Sequence, residues 1–387
     1  MIPYSTQSID ESDISAVEEV LRSPYLTTGP AVGKFENCVC EYTGARYGVA
    51  LSSCTSALHL AVKALGIGDG DLVYVSAISF ASSANCARMC GADVEFVDVD
   101  PLTGNMDMEA LEQKLAEANT AGRLPKAVIC VHLSGRSAQI EKLYALKLRY
   151  GFFVVEDAAH ALGAVYLGER CGSGKYSDVT VLSFHPVKII TTAEGGMCLC
   201  NDEGLAREIR LLSCHGIVHD KALLHEQQHP AYYYEMQQLG YNYRMSDIQA
   251  ALGISQMHRI DSFLEKRRAL AADYPNQLEG CPLLTLPQAD SAASVSSWHL
   301  YQVHIGGGFR DQIYEILRKK SIGVQVHYLP IYRHPYYQNL RPYSPLPGAE
   351  AFFASTLTMP LFPTLTRRDQ SYAAVQLLSE LDKISSK

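Results

Sequence analysis

Residues 47–66 read YGVALSSCTSALHLAVKALG. The first part, YGVALSS, is a short apolar run that ends in hydroxyl residues. The second, TSALHLAVKALG, repeats its apolar side chains at helical spacing and stops on a glycine. A strand that passes straight into a helix is half of a βαβ unit, so the question is whether the pattern repeats. It does. DLVYVSA is followed by the helical SSANCARMCGA, and DVEFVDVD, AVICVHLSG and FFVVEDAA continue the rhythm with helical spacers such as AQIEKLYALKLRYG. Near-continuous apolar strands alternating with helices predict an α/β domain whose mostly parallel sheet is covered on both faces.

Upstream, Asp10 is placed to cap a helix over 10–22, with Ile14, Val17, Val20 and Leu21 on one side, and Pro30 is placed to open another. The pattern changes near residue 250. A long helical stretch is expected over roughly 244–275. LTLPQADSAASVSSW then makes a polar connection, and HLYQVHI and GVQVHYLP are strand-like on either side of the helical FRDQIYEILRKKS. The amphipathic RRDQSYAAVQLLSELDKI closes the chain. The expected division is an N-terminal arm and large domain over 1–249 and a smaller C-terminal α+β domain over 250–387.

Composition narrows the function. The 387 residues are 47% hydrophobic and 19% charged, as in a folded globular protein. A net charge of −8 without a basic cluster argues against a nucleic-acid partner. No apolar run reaches the length of a membrane span. MIPYSTQSIDESD lacks the basic and apolar regions of a secretory signal, so a cytoplasmic location is expected. The 11 cysteines are scattered through apolar segments, and the two C-x-C pairs, Cys38 with Cys40 and Cys198 with Cys200, do not have the usual spacing of a zinc site. Buried structural thiols and no metal are expected.

Ligands of an open parallel sheet bind at the carboxyl ends of its strands. Three groups fall there. SSCTSALHL offers the first turn of a helix to an anion, although Thr55 or Ser56 could simply cap that helix. In VVEDAAHALG, Asp157 closes an apolar strand and His160 follows. A buried carboxylate there needs a partner, or else it only caps the next turn. In SFHPVKIITTAEGGM, residues 183–197, Lys188 lies between Val187 and Ile189. An amine, a carboxylate and an anion site meeting at one sheet edge suit pyridoxal phosphate: the lysine for a Schiff base, the carboxylate for the pyridine nitrogen, the helix terminus for the phosphate.

SFHPVKIITTAEGGM also resembles the Schiff-base signature of the nucleotide-sugar aminotransferases, the DegT-type group of fold-type-I pyridoxal phosphate enzymes. LTTGPAVGKFE, SSCTSALHLAV, EDAAHALG, SCHGI, GYNYRMSDIQAALG, VHYLPIY and AEAFFASTLTMPLFPTL occur in that family's order over nearly the whole chain. The resemblance implies the fold of that group's large domain. It implies Lys188 as the catalytic Schiff-base lysine and Asp157 as the partner of the pyridine nitrogen. His160, where many relatives have glutamine, would lie beside the cofactor's phenolic oxygen. Cys54 (through its backbone), Thr55 and Ser183 would hold the phosphate, and Phe80 would stack on the ring. Asn242 would reach the phosphate of a neighbouring subunit's cofactor, making a homodimer with shared sites. His327 and Tyr328 would meet the substrate, and for Phe80, His327 and Tyr328 simple packing is the competing role. Arg244 is a candidate for the donor carboxylate through its nearness to Asn242.

HALG, HPVKIITTAEGG and QVHYLPIY resemble one branch in particular, the UDP-4-amino-4,6-dideoxy-N-acetyl-altrosamine transaminases. That implies L-glutamate as amino donor and a UDP-linked 4-keto-6-deoxy-N-acetylhexosamine as acceptor, in the direction of pseudaminic acid. A dTDP- or GDP-linked or C3-keto sugar is the alternative. A non-catalytic regulator on the same fold is another, disfavoured because nothing requires a binding module to keep both Lys188 and Asp157. A sugar dehydratase of this fold would replace the lysine with histidine.

Overall fold

The computed structural model describes residues 1–226 and 229–385. Its centre is a sheet of seven strands: β1 (Tyr47–Leu51), β2 (Leu72–Ser76), β3 (Asp93–Val97), β4 (Ala127–Val131), β5 (Phe153–Asp157), β6 (Val179–Ser183) and β7 (Gly196–Cys200). Their order across the sheet is β1-β7-β6-β5-β4-β2-β3. The run from β6 to β3 is parallel, as the alternating pattern predicts. β7 is the exception, antiparallel to both β6 and β1. The connection from β6 to β7 holds no helix, and without a crossover helix the chain returns antiparallel. That connection carries Lys188.

The early helices form where expected. α1 (Glu11–Leu21) is capped by the Asp10 side chain, and α2 (Pro30–Thr43) begins on Pro30 and ends on Gly44 at φ +88°. α3 (Cys54–Ala64) is capped by Ser53, whose hydroxyl accepts from the Ser56 N–H in a reciprocal capping box. Neither Thr55 nor Ser56 is the N-cap, so both remain inside the first turn.

Two expectations of secondary structure change. The helical stretch over 244–275 is two helices, Asp247–Met257 and Ile260–Leu278. Ser246 caps the first, which keeps 244–246 outside it, and at the break Arg259 forms ion pairs with Asp10 and Asp13. The boundary expected at 249/250 passes through the first helix, whose Ala250 and Met257 pack with Leu182 and Phe184 of the large-domain core. GVQVHYLP is not a strand. Gln325 alone bridges to Thr358, and the chain then turns inward so that His327 and Tyr328 both line one cavity, which the alternation of a strand would forbid.

The C-terminal sheet has three antiparallel strands, β8 (Leu284–Thr285), β9 (Tyr301–Ile305) and β10 (Thr356–Met359). Leu270, Tyr274, Leu317 and Leu377, from three surrounding helices, share a core with Tyr301 and Leu357. Among the described residues, no helix is long and apolar enough to cross a membrane.

One backbone contact ties the large sheet to α3. A Cβ on Gly196, at the start of β7, would lie 2.5 Å from the carbonyl of Ser53 and 2.6 Å from the amide nitrogen of Cys54. No flexible side chain can move aside there. Gly196→Ala is therefore expected to lower stability by about 2 kcal/mol or more, since overpacking against backbone has no cheap relaxation. Urea unfolding followed by circular dichroism measures it, and a variant as stable as the parent would show that the contact yields.

Candidate active site

The carboxyl ends of β5 and β6, the first turn of α3 and the β6–β7 connection surround a cavity of about 400 Å³. Cys54, Thr55, Phe80, Asp157, His160, Ser183, Lys188, His327 and Tyr328 all line it. The chain thus brings together every site residue expected from the sequence except Asn242 and the donor-carboxylate candidate Arg244. Asn242 is exposed and does not line the cavity of its own chain. Arg244 does not line it either; its guanidinium donates to Cys214 Sγ at 3.2 Å.

Lys188 keeps some accessible surface where it faces the cavity. Burial by the surrounding protein nevertheless pulls its pKa down from 10.5 to about 8, and Cys54 and Asp157 offset only part of that pull. A fraction of the amine is then neutral, and nucleophilic, near physiological pH. Burial drives the Cys54 thiol the other way, up from its ordinary value, so it stays protonated.

Asp157 ends β5 in the buried region. Its Oδ2 accepts from Ser83 Oγ at 2.6 Å, and Ser83 is itself 2.6 Å from Ser79 Oγ. Its Oδ1 accepts from the Ala159 N–H at 3.2 Å. Neutral donors fix the carboxylate without neutralising it. Ser79, in the bend before a helix, and Ser83, in its first turn, escaped notice in the sequence because serines at such positions carry no distinguishing signal.

His160 is held from both sides. Its Nδ1 accepts from the Ser134 N–H at 3.2 Å, so in the neutral ring the proton lies on Nε2, which donates to Tyr328 Oη at 3.3 Å. Ser134 Oγ donates to Gln302 Oε1, and Gln302 Nε2 donates to the His327 carbonyl at 2.8 Å. Gln302 lies on β9, so the three-stranded C-terminal sheet helps set the site. The Tyr4 ring lies 5.1 Å from that of His327, and Phe80, 62% exposed, meets Tyr328 edge-on at 6.2 Å. Tyr4 comes from the N-terminal arm and had no sequence signal of its own.

The donor set fits pyridoxal phosphate. In the first turn of α3 the Cys54 and Thr55 N–H groups have no intrahelical acceptor, and with the Thr55 and Ser183 hydroxyls they suit a phosphate. Asp157 suits a protonated pyridine nitrogen, and the Lys188 amine suits an aldehyde carbon. The buried cluster of His132, Glu156 and Cys171 has the spacing of a metal site, but its hydrogen bonding is that of a core network. His132 Nδ1 accepts from the Ala138 N–H, which leaves its Nε2 proton for Glu156 at 2.6 Å and no free lone pair for a cation.

Three histidines crowd the site. Burial lowers the pKa of His160, His299 and His327, in each case reinforced by the charge of Lys188, and His327 falls to about 3. The His160 and His299 rings are 4.3 Å apart. A folded-state pKa below the unfolded value of 6.5 means that the unfolded chain binds the extra protons. Stability present above pH 6.5 is thus lost as the pH falls toward about 3. The thermal midpoint should drop steadily below pH 6.5, at a cost of up to about 1.4 kcal/mol per histidine per pH unit. His327→Asn should make the drop shallower. An identical slope in the variant would show that His327 is already charged in the folded protein.

A sequence model of the DegT/DnrJ/EryC1/StrS aminotransferase family matches residues 7–377. Over 388 aligned residues the chain is 38% identical to UDP-4-amino-4,6-dideoxy-N-acetyl-beta-L-altrosamine transaminase of Campylobacter jejuni, covering 99% of this chain and 98% of that protein. It is 37% identical to the spore coat polysaccharide biosynthesis protein SpsC of Bacillus subtilis, over 95% of this chain and 94% of that one. Among solved structures, Helicobacter pylori PseC, an aminotransferase of pseudaminic acid biosynthesis, superposes with a TM-score of 0.90 at 30% identity, covering 99% of both chains. The pyridoxal phosphate form of the sugar aminotransferase Spr1654 of Streptococcus pneumoniae gives 0.89 at 30% identity, again over 99% of both.

Proposed function

This chain belongs to the DegT/DnrJ/EryC1/StrS aminotransferase family, and on that premise we propose that it is the pyridoxal phosphate-dependent transaminase that moves the amino group of L-glutamate to C4 of a UDP-linked 4-keto-6-deoxy-N-acetylhexosamine, as in pseudaminic acid biosynthesis. The observation that carries the assignment is the convergence of Lys188, Asp157 and the first turn of α3 on one cavity. The full-length likeness to the Campylobacter jejuni enzyme supports the choice of sugar. A homodimer is part of the proposal, with the exposed Asn242 of each subunit reaching the cofactor phosphate of the other. So is a cytoplasmic location, consistent with 11 cysteines all present as free thiols.

Bound pyridoxal phosphate supplies an electron sink for the carbon that loses or gains a proton. The chain's own groups do the rest. The Cys54 and Thr55 amides and the Ser183 hydroxyl would anchor the phosphate end. Asp157, held by Ser83 and the Ala159 amide, would keep the pyridine nitrogen protonated. His160 would turn its Nε2–H from Tyr328 Oη, at 3.3 Å, to the phenolic oxygen, and Phe80 would cover the ring. Lys188 Nζ takes the α-proton of glutamate in the first half-reaction and returns a proton to C4 of the sugar in the second. Its depressed pKa suits both tasks near neutral pH. Tyr4, His327 and Tyr328 give the sugar stacking faces and hydrogen-bonding edges, in keeping with a carbohydrate acceptor.

Lys188→Ala should lose both turnover and the visible absorbance of lysine-bound cofactor. Asp157→Asn should remain a folded, cofactor-binding protein with turnover lower by about 10²–10³-fold, since an amide cannot hold the pyridinium charge. Normal turnover in the first variant, or full activity per folded molecule in the second, would remove these roles.

The substrate assignment is tested with a panel of UDP- and dTDP-linked 4-keto and 3-keto sugars, with glutamate as donor and 2-oxoglutarate release as readout. The UDP-linked 4-keto N-acetylhexosamine of the altrose series should react best. Preference for a dTDP-sugar, or amination at C3, would overturn the sugar assignment and leave the aminotransferase standing.

A further inference from the structure

His59 lies in α3, one helical turn beyond Thr55, and is 2% exposed. The mechanism above does not use it. Its Nε2 has no hydrogen-bond partner among the described residues. What it touches is a pair of tyrosines. Its ring meets Tyr241 at 4.8 Å and Tyr243 at 5.9 Å, and its Nδ1 lies 3.4 Å from Tyr243 Oη. The two tyrosine rings stack on each other at 5.0 Å with only 13° between their planes.

The backbone explains why two residues with one between them share a face. Tyr241 donates its N–H to Leu212 O and accepts from the His215 N–H, at 2.7 and 2.8 Å. Tyr243 donates to Ser213 O and accepts from the Ser52 N–H, at 3.0 and 2.8 Å. The segment is therefore extended and pinned at both tyrosines. In extended chain successive side chains point to opposite sides. With Tyr241 and Tyr243 turned in against His59, Asn242 must turn out, and it is exposed.

We propose that His59 is a positioning residue: by clamping the Tyr241–Tyr243 stack it aims Asn242 out of its own subunit and into the active site of a second copy. The inference rests on the shared-site dimer proposed above. It also links the two sites, because α3, which carries His59, offers its first turn to the subunit's own phosphate.

His59 could act instead within its own subunit, by disturbing that first turn. Mixed dimers separate the two routes, with cofactor affinity as the readout. Differently tagged chains are co-expressed, and each heterodimer carries Lys188→Ala in one chain, so that only one site holds cofactor on lysine. That site is titrated with pyridoxal phosphate by visible absorbance. When His59→Ala lies on the Lys188→Ala chain, the lysine-bearing site borrows a misaimed Asn242. Its affinity should fall ~tenfold, the worth of one hydrogen bond to a charged group. When His59→Ala lies on the lysine-bearing chain, the borrowed Asn242 is intact and affinity should stay at the parent value. His59→Phe, which keeps a flat ring against Tyr241, should restore affinity in the first arrangement. The reverse pattern, or no loss in either arrangement, overturns the inference. Should His59→Ala fail to assemble, Tyr241→Leu carries the same comparison. Asn242→Ala in both arrangements is the control. If its defect stays within its own chain, the shared site itself falls; if it acts across the dimer while His59→Ala does not, only the role of His59 falls.

Discussion

Gly196 lies so close to Ser53 and Cys54 that no side chain fits between the two backbones. The rest of the site depends on this contact. β7 runs antiparallel between β6 and β1, so its first residue arrives at the sheet edge where β1 passes into α3. The connection before Gly196 must therefore cross the mouth of the same edge, and Lys188 is on that connection. An anion site made by one βα turn and an amine delivered by a different loop are brought together by a backbone fit, which tolerates less error than a side-chain contact would.

Electrostatics then sets what the amine can do. Asp157 is the buried carboxylate at the cavity (Glu194, at its rim, is exposed), and its hydrogen-bond donors are neutral, so its charge remains available. Against it stand Lys188 and three histidines. Were all four cationic, the site would hold an uncompensated positive charge in a buried place, at large cost. Burial resolves this by keeping the histidines neutral and pulling the lysine down to about 8. The depressed lysine is thus a property of the whole crowded edge and not of Val187 and Ile189 alone.

The alternation of apolar strands and helices made the parallel sheet legible, and the cap residues Asp10 and Pro30 were readable because their chemistry is local. Lys188, Asp157, Thr55 and Ser183 were readable because each lies at or just after a strand end, where such residues converge in an open sheet. The direction of β7 was not, since a strand has no sequence mark of its sense. GVQVHYLP misled for a related reason: β-branched residues favour extended backbone, but pairing depends on which edge is free, and here the chain leaves the edge to bring His327 and Tyr328 into one cavity. Tyr4, Ser83, Ser134 and Gln302 act through contacts between residues far apart in the chain, and no local pattern announces those.

His160 would ordinarily titrate near neutrality, yet its surroundings hold it in the neutral form. A glutamine side chain carries a donor that cannot titrate. A histidine does so only if it is prevented from gaining a second proton. Here Nδ1 already faces the Ser134 N–H, so a proton placed on it would point at another proton. Ser134 presents that N–H from a left-handed backbone conformation, φ +61°, which costs a non-glycine residue energy and persists only where the surroundings enforce it. They do: Ser134 Oγ is tied to Gln302, and Ser297 bonds both the Gly135 and His160 carbonyls from the opposite side. The strained turn and the histidine therefore form one device.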